Sequence, residues 1–210
     1  MRSGIKKYEK YLVPAILLIL VISYAILALV SDGTYGDADD IGHYRRSRYA
    51  FQFPEFFLYH WGKPLFTALS SPFAQFGYKG IRIFNVLVGA LAAYYTYRTA
   101  KVLKFKYPVV AIFLVISSPL YTVLMLSGMT EILGSLVLIL SIFLFFNQRY
   151  IWSALLLSFM PFVRSEAIVI LPLFFVALIW IRQWKAIPFL AFGFVFYSIA
   201  GGFYYDDFLW

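Results

Sequence analysis

The feature that most constrains the fold is an uncharged apolar run of 19 residues, from Leu12 to Val30. A helix needs about 20 such residues to cross a hydrocarbon core of about 30 Å. A secretory signal has a shorter apolar stretch of about 7–15 residues and a small-residue cleavage site. This run has no A-x-A exit and follows a basic leader with Lys6, Lys7 and Lys10. It predicts a retained first transmembrane helix that enters from the cytoplasm.

The composition extends this prediction to the whole chain. Of its 210 residues, 62% are hydrophobic and 13% are charged, whereas soluble domains carry about 25% charged residues. Further apolar segments predict six more spans, at 81–100, 107–126, 130–146, 151–163, 167–181 and 186–204. We therefore predict an all-α, multi-pass membrane protein with about seven transmembrane helices, a single membrane domain over residues 1–210. Residues 31–80 form a long first extracytoplasmic loop that carries short surface helices.

The distribution of charge supports this topology. Eleven of the 18 Lys and Arg residues fall at the predicted cytoplasmic ends, although the connections there are short. This bias follows the positive-inside rule and accounts for the net charge of +8 without a nucleic-acid partner. Nine of the ten acidic residues fall outside, and only Glu9 falls inside. Because Asp and Glu contribute little to orientation, this excess indicates a functional site on the outer face.

The acidic residues concentrate in the segment "DGTYGDADDIGHYRRSRYAF", which follows the first span. Asp37, Asp39 and Asp40 are suited to binding a divalent cation, and one of them is suited to act as a general base. The alternative is a solvated loop in which Asp39 or Asp40 caps a short helix over residues 39–50. Both interpretations stay open on the loop alone.

The predicted short helix carries further candidate ligands. Asp40, His43 and Tyr44 have i, i+3, i+4 spacing, which places them on one helix face. Several arginines are candidate phosphate clamps, because guanidinium groups bind phosphate through paired hydrogen bonds. They are Arg45, Arg46, Arg48 and Arg82. The alternative for each is anchoring to anionic lipid headgroups.

Three more charged residues are predicted below the outer membrane surface. The fifth predicted span has 13 residues and rises about 20 Å, so Arg164 and Glu166 would be recessed near a break at Pro161. Glu131 opens the fourth span from the same side. Charges at this depth face a polar cavity or pair with each other. We predict a water-accessible cavity beneath the acidic loop; a buried Arg164–Glu166 pair that joins two spans is the simpler alternative.

Several chemistries have no support in the sequence. The chain contains no cysteine, which excludes disulfides, zinc-thiolate sites and cysteine nucleophiles. It contains no P-loop, no dinucleotide-binding G-x-G-x-x-G, no G-x-S-x-G and no H-E-x-x-H motif. Nucleotide hydrolysis, dinucleotide redox chemistry and zinc proteolysis are therefore not predicted.

The order of the motifs resembles the GT-C superfamily of membrane glycosyltransferases. The resemblance is to the branch of protein O-mannosyltransferases and lipid A aminoarabinose transferases. That family carries D-x-D, D-D-x or D-E-x in its first extracytoplasmic loop, and "GDADDIGHY" contains the first two forms. The family's D-E-x-x-Y compares with Asp40 to Tyr44, its K-P-P-L with "WGKPLF", and its A-R-L with "GIRIF" around Arg82. "MTEILGS" and "FVRSEAIVI" resemble T-E and R-P-E stretches of bacterial and archaeal relatives, with Ser165 in place of proline.

The resemblance implies an inverting glycosyltransferase at the outer face of a prokaryotic plasma membrane. It would move a sugar from a polyprenyl-phosphate carrier to a lipid, glycan or protein acceptor. Asp40, or Asp39 beside it, would be the catalytic base. Substrate-binding roles would fall to Asp37, His43, Tyr44, Arg45, Arg82, Glu131, Arg164 and Glu166. The family has no general metal requirement, so no cofactor is assigned and a divalent cation at the three aspartates stays open.

Two other functions stay open. Intramembrane charged residues also line transport paths, which favours a lipid or sugar-lipid transporter or flippase. Members of the family usually continue beyond seven spans, and we expect that C-terminal variable part to be absent here. The third possibility is therefore a truncated, non-catalytic GT-C module that assembles with a larger partner.

Overall fold

The computed structural model of the protein describes the backbone of residues 2–208 and the side chains of residues 9–208 apart from Asp37. Over these residues every regular element is helical, as the composition predicts. The α-helices are α1 (Arg2–Val30), α2 (Asp37–Tyr49), α3 (Pro64–Ala74), α4 (Tyr78–Val102), α5 (Val110–Ile116), α6 (Pro119–Met125), α7 (Glu131–Phe146), α8 (Tyr150–Leu157), α9 (Ile170–Trp180) and α10 (Phe192–Tyr205). Short 3-10 helices cover Pro54–Phe57, His60–Gly62, Met160–Phe162, Ser165–Val169 and Trp184–Ala191.

Helix α4 is the centre of the assembly and packs against α1, α3, α5, α6 and α7. It runs antiparallel to α1: Lys101 near its end lies 3.5 Å from Glu9, and Arg82 near its start donates to the carbonyl of Ser31. A small cluster that includes Val13 and Ala93 seals α1 against α4. The main apolar core joins α4 to α7 and α8 and continues to α9.

Two segments are long and apolar enough to cross a membrane, Glu9–Val30 and Trp184–Tyr205. Helices α3 and α4 add a third if they count as one broken span. Shorter apolar helices cover Glu131–Phe146, Tyr150–Phe162 and Ser165–Trp180. The described chain is therefore a helical protein with two or three candidate spans, fewer than the seven predicted from the apolar runs.

The predicted third span, 107–126, is not one helix. It is divided into α5 and α6, which have seven residues each and rise only about 10 Å. The break lies at Ser118, whose extended backbone (ψ 114°) precedes Pro119. Proline disfavours the helical conformation in the residue before it and itself lacks an N–H, so hydropathy alone missed this interruption.

The break near Pro161 follows its prediction more closely. Helix α8 ends at Leu157, and Pro161 lies in the 3-10 helix Met160–Phe162. The backbone of Arg164 is then extended before the next 3-10 helix begins. Because α8 is short, the chain reaches Arg164 without completing a full-length helix, and this positions its side chain toward the start of α7.

The amphipathic segment before α4 turns sharply into it. The axes of α3 and α4 differ by 119°, so α3 does not continue α4 as a straight span. Gly77 makes the turn with φ 84° and ψ −171°, a conformation that only glycine adopts without strain. This turn brings α2, which packs on α3, to the end of the bundle where α4 begins.

Candidate functional site

Helix α2 carries the acidic motif and confirms the helix predicted over residues 39–50. Its N-cap is Gly36, and no side chain caps it. The prediction of Asp39 or Asp40 as N-cap is therefore wrong, since both lie in the first turn, where the helix dipole also favours acidic residues. Polar contacts hold α2 on α3, including a hydrogen bond of 2.7 Å between the hydroxyls of Ser47 and Ser70.

Asp40 is completely buried and has both carboxylate oxygens engaged. Its Oδ1 accepts a hydrogen bond of 2.7 Å from the N–H of Gly128, and its Oδ2 accepts one from the hydroxyl of Tyr78. A Cβ at Gly128 would lie 2.6 Å from Oδ1, so only glycine permits this approach. Asp40 thus fastens α2 to the α6–α7 loop and to α4, and its role as catalytic base stays a prediction.

The same loop is held from α4 by an amide. The Nδ2 of Asn85 donates to the carbonyls of Ser127 (2.7 Å) and Met129 (2.9 Å). Asn85 is buried, so these bonds satisfy donors that would otherwise be costly to enclose. Asp40 and Asn85 together position residues 127–130 directly before Glu131, the first residue of α7.

Arg82, a predicted phosphate clamp, is 1% exposed. Its guanidinium lies 4.7 Å from the ring centre of Tyr78 and 5.7 Å from that of Tyr35. Its Nη1 donates to the carbonyls of Ser31 (2.6 Å) and Ala28 (3.2 Å) at the end of α1. In this arrangement Arg82 ties α1 to α4 and is enclosed, so a phosphate cannot contact it without a local rearrangement.

His43 and Tyr44 lie on the face of α2 that also carries Asp40, as predicted. His43 is 7% exposed, and its ring meets the edge of Phe66 at 5.6 Å. Burial, helped by the nearby positive charge of Arg46, lowers the pKa of His43 to about 4. His43 is therefore neutral at physiological pH. The ring of Tyr44 packs against Tyr78 at 5.5 Å.

Two other charged side chains of α2, Asp39 and Arg45, are exposed to solvent. The other two arginines of this helix are engaged in packing. Arg46 lies 5.2 Å from the ring centre of Tyr59, and Arg48 donates to the carbonyl of Gln75 at the end of α3. Of the described acidic side chains of α2, Asp39 is thus the one available to an incoming molecule.

A metal site is not formed by the side chains that the structure describes. Among them, no three His, Cys, Asp or Glu residues converge closely enough to hold an ion. Asp39 points to solvent while Asp40 is enclosed, so these two neighbours do not act together. The side chain of Asp37, the third residue of the predicted cation site, lies outside the described residues.

The three charged residues that were predicted to be recessed form a cluster in which Arg164 pairs with both Glu131 and Glu166. The side chains of Arg164 and Glu131 are each 29% exposed, and that of Glu166 is 61% exposed. The sequence predicted a buried pair of Arg164 and Glu166. This prediction is corrected in two respects: the pair is open to solvent, and Arg164 also pairs with Glu131. Pairing with Glu131 was missed because the two residues lie 33 positions apart.

These three residues line one open cavity of about 310 Å³, and its depth below a membrane surface stays a prediction. Its remaining walls are small or apolar side chains, including Gly134, Leu138 and Met160. A second cavity of about 280 Å³ shares Ser135 and Leu138 with it and extends along α7 toward α5. The cavity lined by the charged residues therefore continues into this second cavity, which forms an apolar groove.

Lys63, the residue directly before α3, reaches the charged cluster and was missed as a site residue. Its Nζ donates a hydrogen bond of 2.7 Å to the hydroxyl of Ser165, between Arg164 and Glu166. The only available signal was its place in "WGKPLF". Tyr78 and Asn85 were also missed, although each lies within one helical turn of Arg82. Gly128 had no signal at all, because its role depends on a contact 88 residues away.

Comparison of the chain with protein-family models, with curated protein sequences and with solved structures gives no match. The class that the geometry defines is a helical protein with two membrane-length apolar helices. The candidate site residues Asp40, Arg82, Glu131 and Arg164 lie at the end of the bundle where α4 and α7 begin.

Proposed function

We propose that the protein is a membrane glycosyltransferase of the GT-C type that uses a polyprenyl-phosphate-linked sugar at the outer face of the membrane. One observation carries the proposal: contacts link residues from motifs far apart in the chain at one end of the helical bundle. Helix α2 reaches the loop before Glu131 through Asp40, and Lys63 reaches the turn of Arg164 and Glu166 through Ser165.

The proposed topology has the amino terminus in the cytoplasm and about seven membrane-embedded segments, several of them short or broken. The antiparallel pairing of α1 and α4 supports it. Glu9 and Lys101 mark the cytoplasmic end of this pair, while Ser31 and Arg82 mark the outer end. Large apolar side chains are exposed along α1 and α9, as expected for surfaces that face lipid; examples are Ile19, Leu173 and Trp180.

In the proposed reaction an acidic residue of α2 takes the proton of an acceptor hydroxyl. The acceptor oxygen attacks the anomeric carbon, the carbon–oxygen bond to phosphate breaks, and the polyprenyl phosphate leaves with the electron pair. The geometry favours Asp39 over Asp40 as base, because Asp39 is exposed whereas both oxygens of Asp40 already accept hydrogen bonds. Asp40 then acts as a positioning residue, and the exposed Arg45 is the candidate contact for the departing phosphate.

The test is transfer of a radioactive sugar from polyprenyl-phosphate mannose or glucose by the full chain in proteoliposomes. Asp39→Asn should lower the rate by about 10²–10⁴-fold, the usual contribution of a general base, with thermal stability unchanged. Arg46→Gln, on the same helix, is the matched control and should keep most of the rate. Undiminished transfer in Asp39→Asn would remove this residue from the chemistry.

Transport is the second candidate, favoured by the exposed Glu131–Arg164–Glu166 cluster that lines a cavity. Movement of the carrier lipid across proteoliposomes without glycosyl product would support transport and contradict the glycosyltransferase. A non-catalytic module would show neither activity and would co-purify with a larger transferase whose rate survives replacement of both Asp39 and Asp40.

A further inference from the structure

The end of the bundle opposite the candidate site is formed by the last turns of α4, α7 and α9. Helix α4 has 25 residues and rises about 37 Å, so its two ends lie farther apart than a hydrocarbon core of about 30 Å is thick. The last turns of α4 and α7 lie side by side, since the guanidinium of Arg98 is 5.1 Å from the ring centre of Phe143. Helix α9 joins them through Phe174, which packs against Phe145 at 5.7 Å.

Cations at this end are not neutralised by the protein. Among the described residues, Glu9 is the one acidic side chain here, and Lys101 approaches it at 3.5 Å. Four further basic side chains are exposed and make no ion pair or hydrogen bond within the described part of the chain. We call these four residues the basic rim: Lys104, Arg149, Arg182 and Lys185.

The three helices end in the same kind of turn, which local folding alone does not explain. Each turn has one residue in the left-handed conformation: Lys104 (φ 61°), Gln148 (φ 60°) and Arg182 (φ 59°). The N–H of the next residue donates to the carbonyl five positions earlier, at 2.8–3.0 Å, as in a Schellman motif. Glycine is the usual residue at this position, because a Cβ is strained there. Lys104 and Arg182 therefore keep a long cationic side chain where glycine would be less strained.

Exposed aromatic rings accompany the basic rim. Phe105 and Phe146 are exposed beside two of the turns, and Trp180 and Trp184 flank the third. Aromatic rings next to Lys and Arg are typical of the membrane–water interface, where the rings lie at headgroup level. An acidic soluble partner would match the cations and leave the rings uncovered. Anionic lipid headgroups match both, because their phosphates attract the cations and their glycerol and acyl carbons cover the rings.

We propose that the basic rim binds the headgroups of anionic phospholipids, such as phosphatidylglycerol, in the leaflet opposite the candidate site. Its four cations have no competing carboxylate, so each is free to donate to a headgroup phosphate. The contact accounts for cationic side chains at the two left-handed positions, Lys104 and Arg182. It is independent of the reaction proposed above and requires that the bundle crosses the bilayer.

The experiment compares binding of phosphatidylglycerol and of phosphatidylcholine, with the same acyl chains, to the full chain in neutral detergent micelles. The wild-type protein should prefer phosphatidylglycerol about 20-fold or more, because each basic residue near an anionic surface contributes about fivefold. The double variant Arg182→Gln/Lys185→Gln should lower this preference about fivefold or more. Arg149→Gln, whose position is not left-handed, should lower it in the same direction and keeps the test valid if the double variant does not fold.

Lys104→Gly separates lipid binding from a structural role. It removes a rim charge and relieves the left-handed backbone at once. We expect the preference for phosphatidylglycerol to fall about fivefold, while the midpoint of thermal unfolding in neutral micelles stays the same or rises. An undiminished preference in this variant, or equal binding of the two lipids by the wild-type protein, would overturn the proposal.

Lys79→Gln is the matched control, because it removes the same charge from an exposed position at the other end of α4. It should leave the preference within about twofold. A loss as large as that of the rim variants would show that net charge alone attracts the lipid. Inorganic phosphate and polyglutamate, each at the concentration of the lipid, identify other partners. Displacement of phosphatidylglycerol by the first would indicate a free-anion site, and displacement by the second an acidic protein; either result would overturn the choice of a lipid surface.

Discussion

Two charged clusters lie at the same end of the helical bundle and differ in what surrounds them. In the closed cluster, Asp40 and Arg82 are enclosed at 0% and 1% exposure on either side of Tyr78. In the open cluster, Glu131, Arg164 and Glu166 line a cavity and remain partly exposed. Both clusters contain arginine and carboxylate.

The difference separates a structural role from a binding role. A buried carboxylate whose oxygens are both hydrogen-bonded stabilises one arrangement of the chain and is enclosed away from a substrate. An exposed cluster adds little to stability, because water and salt screen its charges, but it can exchange partners. We therefore expect substitutions in the closed cluster to change folding and substitutions in the open cluster to change binding.

The largest loss of unfolding free energy is expected for Asp40→Ala in the closed cluster. It leaves the N–H of Gly128 and the hydroxyl of Tyr78 without their acceptor and removes the negative charge that faces Arg82 across Tyr78. Breaking such a buried network costs about 3–5 kcal/mol of unfolding free energy, measured by denaturant titration in detergent. Asp39→Ala, the exposed neighbour, should stay within about 0.5 kcal/mol. Equal losses in the two variants would contradict the distinction.

A second effect on stability is expected from the buried His43 of α2, and it depends on pH. The unfolded chain protonates His43 near pH 6.5, whereas burial and Arg46 hold its folded pKa at about 4. Between these values only the unfolded state binds the proton, so stability falls as pH decreases from about 6.5 to about 4. The loss should reach up to about 3 kcal/mol, since one pKa unit corresponds to about 1.4 kcal/mol.

The measurement for this second effect is unfolding free energy against pH for the wild-type protein and His43→Gln. The variant lacks the titrating ring, so its stability should rise relative to the wild type as pH falls through this window. The carboxylates titrate in both proteins and cancel in the difference. Two parallel curves would show that His43 is not enclosed in solution.

The smallest loss of unfolding free energy is expected for a substitution in the open cluster. Glu166→Gln removes one partner of Arg164, but the Glu166 side chain is 61% exposed and Glu131 remains paired. We expect a change of about 1 kcal/mol or less in unfolding free energy, smaller still at high salt. A loss as large as that of Asp40→Ala would show that the two clusters are equally closed.

The acidic segment illustrates how far sequence patterns reach. Helical spacing correctly placed Asp40, His43 and Tyr44 on one face of α2. Spacing alone did not show which side of the helix is covered, because that depends on α3 and on the distant Gly128. As a result Asp40 was ranked above Asp39 as base, whereas the accessible carboxylate is that of Asp39.

The apolar runs show the same limit at the level of the fold. Hydropathy over a window correctly indicated helices throughout, and Pro161 correctly marked a break between two of them. Hydropathy wrongly predicted one continuous helix across Ser118–Pro119. There the backbone geometry divides the apolar run into two helices of about 10 Å each.

By itself the sequence determined the helical class, the membrane-length first helix and the face of α2 that carries Asp40, His43 and Tyr44. These properties follow from composition and short-range periodicity, which depend on neighbours within a few residues. Only the tertiary structure decided that Asp40 is enclosed, that Arg164 is shared between two glutamates, and that Lys63 meets Ser165. Burial and pairing depend on side chains brought together from separate helices, and no local pattern specifies those partners.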